Sequence, residues 1–162
     1  MQRLLITGSN GLLGQSLLDE CLGIEGIEVL ALSRGANRYP MQKGYAYVDI
    51  DLTDFDKLNK VVRKYVPDYI INTAAMTNVD ICEDHKESCY LLNVELVQQL
   101  VSISESIKAH LIHISTDFIF DGRTGTYKET DAANPLSYYG ETKMLSEQLI
   151  QVSNINFTIF RR

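Results

Sequence analysis

Tyr139 and Lys143 have the residue types and the spacing that acid–base chemistry requires. They lie four positions apart, so a helix there would place both side chains on one face. A phenol ionises with a pKa of about 10, and a neighbouring ammonium group lowers that pKa because it favours the phenolate. Tyr138 pairs with Thr142 at the same spacing and lacks this cation. The pattern predicts Tyr139 as the acid and Lys143 as the group that tunes it, although an isolated pair of this kind is more often an ordinary surface pair.

A glycine-rich turn near the N-terminus has the pattern of a phosphate cradle. Its three glycines follow a short apolar run and precede a helical pattern, with GxxGxxG spacing rather than the GxGxxG of many dehydrogenases. Glycine allows backbone to lie close to a pyrophosphate, and a helix N-terminus offers free N–H groups to an anion. This context favours a dinucleotide site over a plain strand–helix turn. The predicted contacts are Gly8, Asn10, Gly11, Leu12, Leu13 and Gly14.

The end of the second apolar run bears on which dinucleotide would bind. An acidic residue there hydrogen-bonds the ribose hydroxyls of NAD, whereas an arginine pairs with the 2′-phosphate of NADP. The sequence has Ser33 and Arg34 and no acid, which favours NADP(H). The alternative is that Arg34 is a solvated surface cation.

Thr116 follows the fifth apolar run. Side chains at the carboxyl end of a parallel strand face the crevice in which such sheets bind ligands. We therefore expect the Thr116 hydroxyl to hydrogen-bond a substrate carbonyl oxygen, with simple capping of the strand as the alternative.

These residues need a scaffold of alternating strands and helices. Short apolar runs predict strands at 3–7, 28–32, 45–48, 69–72, 111–115 and 157–160. Amphipathic patterns predict helices at 12–22, 54–65, 86–109 and from about 135 to 152. The alternation predicts an α/β fold: a doubly wound parallel sheet between two helix layers, as in a Rossmann NAD(P)-binding domain. One long loop, 122–134, is expected.

Composition excludes several classes of protein. Lys and Arg number 15 against 21 Asp and Glu, and this net charge of −6 makes nucleic acid and anionic membranes unfavourable partners. The three cysteines form no CxxC, which is typical of free thiols in a reducing compartment. The N-terminus has the pattern of neither a signal peptide nor a membrane span. We therefore expect a cytoplasmic protein.

Metal sites are disfavoured. Cys82, His85 and Cys89 would share one face of a helix, but no fourth zinc ligand is evident. His110 and His113 are three apart in a strand and face opposite ways. Mg²⁺ is an alternative to simple solvation for one group of carboxylates, but solvation is favoured; they are Asp117, Asp121, Glu129 and Asp131.

Together, the TGxxGxxG turn, the hydroxyl after the fifth strand and the YxxxK pair resemble the extended short-chain dehydrogenase/reductase superfamily. Finer features are similar to its dTDP-4-dehydrorhamnose reductase branch, and the resemblance covers almost the whole chain. The segments that carry it are 72–80 with Glu83, 92–94, 115–122 and 135–143.

The resemblance implies hydride transfer from NADPH to the 4-keto group of dTDP-4-dehydro-6-deoxy-L-mannose, giving dTDP-L-rhamnose. Tyr139 would protonate the nascent alkoxide, Lys143 would hold the nicotinamide ribose and Thr116 would orient the carbonyl. The glycines would hold pyrophosphate and Arg34 the 2′-phosphate. Further implied cofactor contacts are Asp51 and Leu52 at the adenine, and Ala74, Ala75 and Thr77 along the groove.

Two alternatives stay open beside this reading. One is another sugar-nucleotide epimerase, dehydratase or 4-keto reductase of the superfamily. The other is a non-catalytic NADP-binding subunit resembling the regulatory subunit of methionine adenosyltransferase; an intact Thr116, Tyr139 and Lys143 set counts against it.

Domain organisation is expected to be incomplete. We expect residues 1–162 to form the NADP(H)-binding domain and the C-terminal substrate-binding domain of the family to be absent, because its members continue for roughly a hundred residues after the sixth strand. Such a chain should bind NADPH and turn over poorly. The resemblance is compatible with a homodimer.

Overall fold

A single parallel sheet of six strands organises the chain in a computed structural model that describes residues 1–162. The strands are β1 (Gln2–Thr7), β2 (Ile27–Ser33), β3 (Ala46–Asp49), β4 (Tyr69–Asn72), β5 (His110–Ser115) and β6 (Phe157–Arg161). The order across the sheet is β3-β2-β1-β4-β5-β6, and every neighbouring pair is parallel. All six predicted strands are confirmed, and their ends differ from the prediction by at most one residue. The order reverses between β1 and β4, which is where a doubly wound sheet binds its ligand.

Helices cover both faces of the sheet because alternate strand residues bury opposite ways. On one face, Leu5, Ile70 and Leu111 belong to the larger apolar cluster, which includes side chains of α2 (Phe55–Tyr65), α5 (Leu96–Ile107) and α6 (Tyr138–Gln151). On the other face a smaller cluster packs against α1 (Leu12–Cys21). The predicted three-layer α/β architecture is therefore confirmed.

Side-chain caps fix the helix starts that matter for the site. Ser137 accepts a hydrogen bond from the N–H of Gly140, so α6 begins at Tyr138 rather than near residue 135 as predicted. Asp54 caps α2 in the same way, by accepting from the N–H of Lys57. The long loop expected at 122–134 contains no helix or strand and is confirmed.

The region between β4 and β5 differs from the single helix predicted over 86–109. It contains α3 (Val79–Asp84), which was not predicted, then α4 (Lys86–Tyr90), a π-helical turn (Leu91–Glu95) and α5. The backbone of His85 interrupts the first two helices, with φ −125° and ψ 56°. No Gly or Pro occurs at either irregularity, so the sequence pattern did not indicate them. No helix in the structure combines the length and apolarity that a membrane crossing requires.

Candidate functional site

The glycine turn between β1 and α1 is built without room for side chains. Gly8 has a φ of 71°, and a Cβ there would lie 2.8 Å from the backbone nitrogen of Ala74 at the end of β4. A Cβ on Gly14 would lie 2.5 Å from the carbonyl oxygen of Gly8. Gly11 caps α1, and its N–H donates to the Gly8 carbonyl over 2.9 Å. The turn thus holds the N-terminus of α1 directly against the sheet at the point where the strand order reverses.

The side chain of Asn10 braces a neighbouring loop, and the cofactor contact expected of this residue stays a prediction. Its amide nitrogen donates to the carbonyls of Arg34 and Ala36, at 3.1 and 3.0 Å, and to the hydroxyl of Tyr47. Its amide oxygen accepts from the N–H of Arg38 at 2.9 Å. The side chain therefore ties the glycine turn to the connection between β2 and β3, and its amide is already occupied.

Arg34 lies where the sequence placed a 2′-phosphate contact. Its side chain is 84% exposed and its guanidinium is 3.9 Å from the carboxylate of Asp51. Hydrogen bonds from the N–H and hydroxyl of Thr53 lower the pKa of Asp51, so this carboxylate stays ionised. Arg38 lines the same crevice as a second cation. Sequence reasoning missed it because it lies in the loop after β2, where no motif marks it.

The predicted contacts line two adjoining pockets that share Gly11, Thr73 and Ala75. The first pocket brings together the adenine-side residues Gly8, Asn10, Ser33, Arg34, Asp51, Leu52 and Ala74. The second brings together the residues on the predicted catalytic side, Leu12, Leu13, Gly14, Thr77, Thr116, Tyr139 and Lys143. Residues from distant parts of the chain therefore form one continuous crevice along the carboxyl ends of the strands.

This crevice fits an extended anionic dinucleotide. The glycine turn has no room for a Cβ at Gly8 or Gly14, and the N-terminus of α1 beside it offers free backbone N–H groups to a phosphate. At the other end, Ser115 lines the crevice with a buried hydroxyl that has no hydrogen-bond partner within the protein. An unpaired buried hydroxyl is costly, so a polar ligand group there would relieve it.

Tyr139, Lys143 and Thr116 come together as predicted, but the pKa effect expected of Lys143 on Tyr139 is not found. Burial raises the pKa of Tyr139, and only its hydrogen bond with the Thr116 side chain acts to lower that pKa. The Lys143 ammonium donates instead to the carbonyl of Ile114 at 2.8 Å and lies 3.0 Å from Nε2 of His113. The expected tuning is wrong for this geometry because the nitrogen of Lys143 is engaged by β5.

Lys143 itself is strongly perturbed. It is only 1% exposed, and burial lowers its pKa to about 8, while the nearby Glu147 acts in the opposite direction. Glu147 is in turn paired with Arg161 on β6 at 2.7 Å. A lysine with a pKa this close to neutral exchanges its proton in the range where enzymes work.

The start of α6 is packed tightly enough to fix Tyr139. Gly140 lies so close to the carbonyl of Phe118 that a Cβ could not be accommodated. The ring of Phe118 meets that of Tyr139 edge to face, with centroids 5.9 Å apart. The carboxylate of Glu83 accepts a 2.6 Å hydrogen bond from the N–H of Tyr138. These contacts hold the phenol at the carboxyl end of β5.

Asn93 is a structural residue that the sequence marked only as part of a motif. The π-helical turn directs its buried amide at Met76, where it bonds both the N–H and the carbonyl, at 2.8 and 3.0 Å. The same amide nitrogen donates to the hydroxyl of Thr142 on α6 at 3.1 Å. Asn93 thus joins three elements behind the site. In the sequence, this role was indicated by an asparagine among the apolar residues of a predicted helix.

The candidate zinc ligands do not converge. Cys82 and Cys89 are buried with their sulfurs in contact, and burial raises the pKa of Cys82 to about 12, which keeps it a thiol. His85 is exposed at the break between α3 and α4. No group of three or more His, Cys, Asp or Glu side chains in the structure is arranged to hold a metal ion. The acidic loop also gives no support to Mg²⁺.

The strand order, the glycine turn and the Tyr–Lys pair of α6 define a Rossmann-like chain of the short-chain dehydrogenase/reductase class. A family model described as the RmlD substrate binding domain matches residues 1–162. This chain belongs to that family.

Relatives support the same placement. A dTDP-4-dehydrorhamnose reductase from Aggregatibacter actinomycetemcomitans is 38% identical over 151 residues, 93% of this chain and 47% of that protein. Methionine adenosyltransferase 2 subunit beta from Bos taurus is 31% identical over 160 residues, 99% of this chain and 46% of that protein. This chain spans about half the length of these relatives.

Solved structures agree in fold over nearly the whole chain. The crystal structure of a hypothetical dTDP-4-dehydrorhamnose reductase from Sulfolobus tokodaii matches with a TM-score of 0.85 and 41% identity, covering 99% of this chain and 55% of that one. A dTDP-4-dehydrorhamnose reductase from Bacillus anthracis in complex with NADP matches with a TM-score of 0.80 and 29% identity, covering 99% and 53%. The homologues support a sugar-nucleotide reductase family and a nicotinamide cofactor.

Proposed function

We propose that this chain is the NADP(H)-binding and catalytic part of an enzyme that reduces the 4-keto group of dTDP-4-dehydro-6-deoxy-L-mannose to dTDP-L-rhamnose. The observation that carries this proposal is the convergence of Thr116, Tyr139 and Lys143 in a pocket that also contains residues of the glycine turn. A reductase needs its proton donor and its cofactor site in one cleft, and this arrangement provides both.

The residues of the crevice divide into binding and chemistry. Backbone N–H groups of the glycine turn at the N-terminus of α1 would bind the pyrophosphate. Ser115 and Lys143 would hold the nicotinamide ribose, because both line the pocket that contains Tyr139. NADPH, when bound, supplies a hydride for the carbonyl carbon of the substrate.

Tyr139 acts at the carbonyl oxygen. Its hydroxyl proton passes to that oxygen as negative charge develops, so the C=O bond becomes C–OH and the phenol becomes a phenolate. The Thr116 side chain lines the same pocket and acts to lower the pKa of the phenol, so its hydroxyl would orient the same oxygen and stabilise the phenolate. Solvent then returns a proton to Tyr139.

The preference for NADPH over NADH rests on two cations. Arg34 and Arg38 both line the adenine-side pocket, and the end of β2 carries Ser33 rather than an acid that would bind the ribose hydroxyls of NAD. The structure of the Bacillus anthracis relative in complex with NADP supports the same cofactor.

An assay of NADPH oxidation tests the function. The chain is measured alone and fused to the C-terminal half of the Aggregatibacter actinomycetemcomitans reductase, of which it matches 47%. We expect NADPH binding by both proteins and substrate-dependent NADPH oxidation by the fusion. Absence of NADPH binding, or a fusion that converts the sugar without net NADPH consumption as an epimerase would, rejects the proposal.

The second candidate is a non-catalytic regulatory subunit. The 31% identity to methionine adenosyltransferase 2 subunit beta is the observation that favours it. Size-exclusion chromatography with a methionine adenosyltransferase catalytic subunit tests it. Co-elution with a changed synthetase rate, together with no turnover by the fusion, would replace the first candidate by the second.

A further inference from the structure

A buried chain of hydrogen bonds runs across the sheet from the glycine turn to Lys143. The hydroxyl of Thr7, the last residue of β1, donates to the amide oxygen of Asn72 at 2.6 Å. The amide nitrogen of Asn72 lies 3.2 Å from Nδ1 of His113 on β5. Nε2 of His113 then lies 3.0 Å from Nζ of Lys143 and 3.2 Å from Oγ of Ser146. All five residues are buried, and each is at most 1% exposed.

The His113 ring is neutral. It is 1% exposed, and burial together with the neighbouring Lys143 holds its pKa well below the ordinary value. A neutral imidazole carries a proton on one nitrogen and a lone pair on the other. The hydrogen-bond partners of the two nitrogens therefore decide whether Nε2, the nitrogen that faces Lys143, carries the proton.

Two separate contacts determine which nitrogen of His113 carries the ring proton. The Asn72 amide oxygen is taken by Thr7, so Asn72 presents its NH₂ group to Nδ1, which must accept. The single hydroxyl proton of Ser146 goes to the carbonyl oxygen of Lys143 at 2.7 Å, so Oγ of Ser146 can only accept from His113. Both contacts place the ring proton on Nε2, and that N–H also faces the nitrogen of Lys143.

We propose that His113 is a positioning residue: its Nε2–H, fixed by Asn72 and Ser146, opposes the ammonium form of Lys143 and favours the neutral amine. An ammonium has only donors, and its contact with a second donor is repulsive, whereas an amine can accept the Nε2–H with its lone pair. The hydrogen bond from Lys143 to the Ile114 carbonyl is kept in either form. The importance of this effect for catalysis rests on the proposed function, but the effect of His113 on the protonation of Lys143 does not.

The other groups around Lys143 act differently. Glu147, one turn further along α6, favours the ammonium, but its carboxylate is shared with Arg161 on β6. The Cys89 thiol on α4 also acts in this direction. Tyr139 lies one turn earlier on α6 in the same pocket. Among these groups, only His113 directs an N–H at the amine, so a substitution of His113 isolates the effect of that N–H on the protonation of Lys143.

A direct titration of Lys143 tests this inference. The protein is labelled with ¹⁵N and ¹³C at lysine side chains, Lys143→Met identifies the signal, and the pH midpoint is read by NMR without cofactor or substrate. In His113→Gln the amide can turn its oxygen toward the ammonium, so we expect the midpoint to rise by about one pH unit. His110→Gln, on the other face of β5 and bonded to Thr158, is the matched control and should leave the midpoint unchanged.

Thr7→Val provides a second variant with conserved shape. It frees the Asn72 amide to turn, so that Nδ1 of His113 can donate and Nε2 can accept from Lys143, and the midpoint should again rise. A folded His113→Gln or Thr7→Val protein with an unchanged or lowered midpoint overturns the proposal. A purely structural role of His113 would lower the thermal midpoint of unfolding without moving the titration. Loss of NADPH binding or turnover would reject the proposed function but would not change the conclusion drawn from the titration of Lys143.

Discussion

The burial of Lys143 contributes a stability that increases with pH. Burial lowers its pKa from 10.5 to about 8, while in the unfolded chain the pKa returns to the ordinary value. Between these values the unfolded chain binds a proton that the folded chain does not. The free energy of unfolding must therefore increase as pH rises through this window.

The magnitude follows from the two pKa values. Each pH unit inside the window contributes at most about 1.4 kcal/mol, and between pH 8 and pH 10 the gain is about 2 kcal/mol. Cys82 opposes this gain from about pH 9 in any variant that keeps it, because burial raises its pKa to about 12, and above pH 10 the tyrosines add to that opposing effect. Hydrogen bonding to Asp19 raises the pKa of Tyr39 to about 12 and burial does the same for Tyr65, so the unfolded chain loses those protons first and stability falls.

Urea unfolding at half-unit pH steps measures the effect, with Lys143→Met as the comparison. Methionine fills a similar volume without a charge, so Lys143→Met should be more stable than the unmodified protein at pH 7, and this difference in stability should shrink by about 2 kcal/mol between pH 8 and pH 10. If the two proteins show the same pH dependence over this interval, Lys143 is not a buried titrating group and this reasoning is refuted.

Three further outcomes are expected. In the fusion protein Tyr139→Phe should reduce turnover about a hundredfold or more with NADPH affinity nearly intact, whereas Tyr138→Phe should change turnover little; equal effects would remove Tyr139 as the acid. Arg34→Ala should erase most of the preference for NADPH over NADH, roughly tenfold, in a fluorescence titration, and equal affinities before the change would contradict the assignment. Gly14→Ala should abolish NADPH binding and cost about 1–3 kcal/mol of stability, because its Cβ meets the Gly8 carbonyl at 2.5 Å. Gly23→Ala, where the nearest atom is 3.7 Å away, is the control and should bind normally.

The sheet could be predicted from sequence because each strand is a short apolar run with turn residues on either side. Buried parallel strands require such runs, so the pattern and the physical cause coincide. The residues of the site followed from the same logic, since the ends of parallel strands meet along one edge. The glycine turn, Thr116 and Tyr139 therefore converge where the motifs placed them.

The irregular and buried polar parts could not be predicted this way. The π-helical turn at Asn93 lies inside the predicted helix and the break at His85 immediately precedes it, with no Gly or Pro to mark either. The expected effect of Lys143 on Tyr139 was inferred from spacing, but spacing does not reveal that β5 engages the lysine nitrogen. Nor does it reveal that Asn72 and His113 meet, because that contact depends on the register of β4 and β5.

The central claim is that this crevice directs a hydride to a sugar-nucleotide ketone. The most direct measurement uses NADPH carrying deuterium at the transferable position of the nicotinamide, the fusion protein and dTDP-4-dehydro-6-deoxy-L-mannose, with mass spectrometry of the sugar product. The proposed function predicts dTDP-L-rhamnose with a single carbon-bound deuterium, lost together with turnover in Tyr139→Phe. A product free of deuterium, or no product from a fusion that binds NADPH, would contradict it.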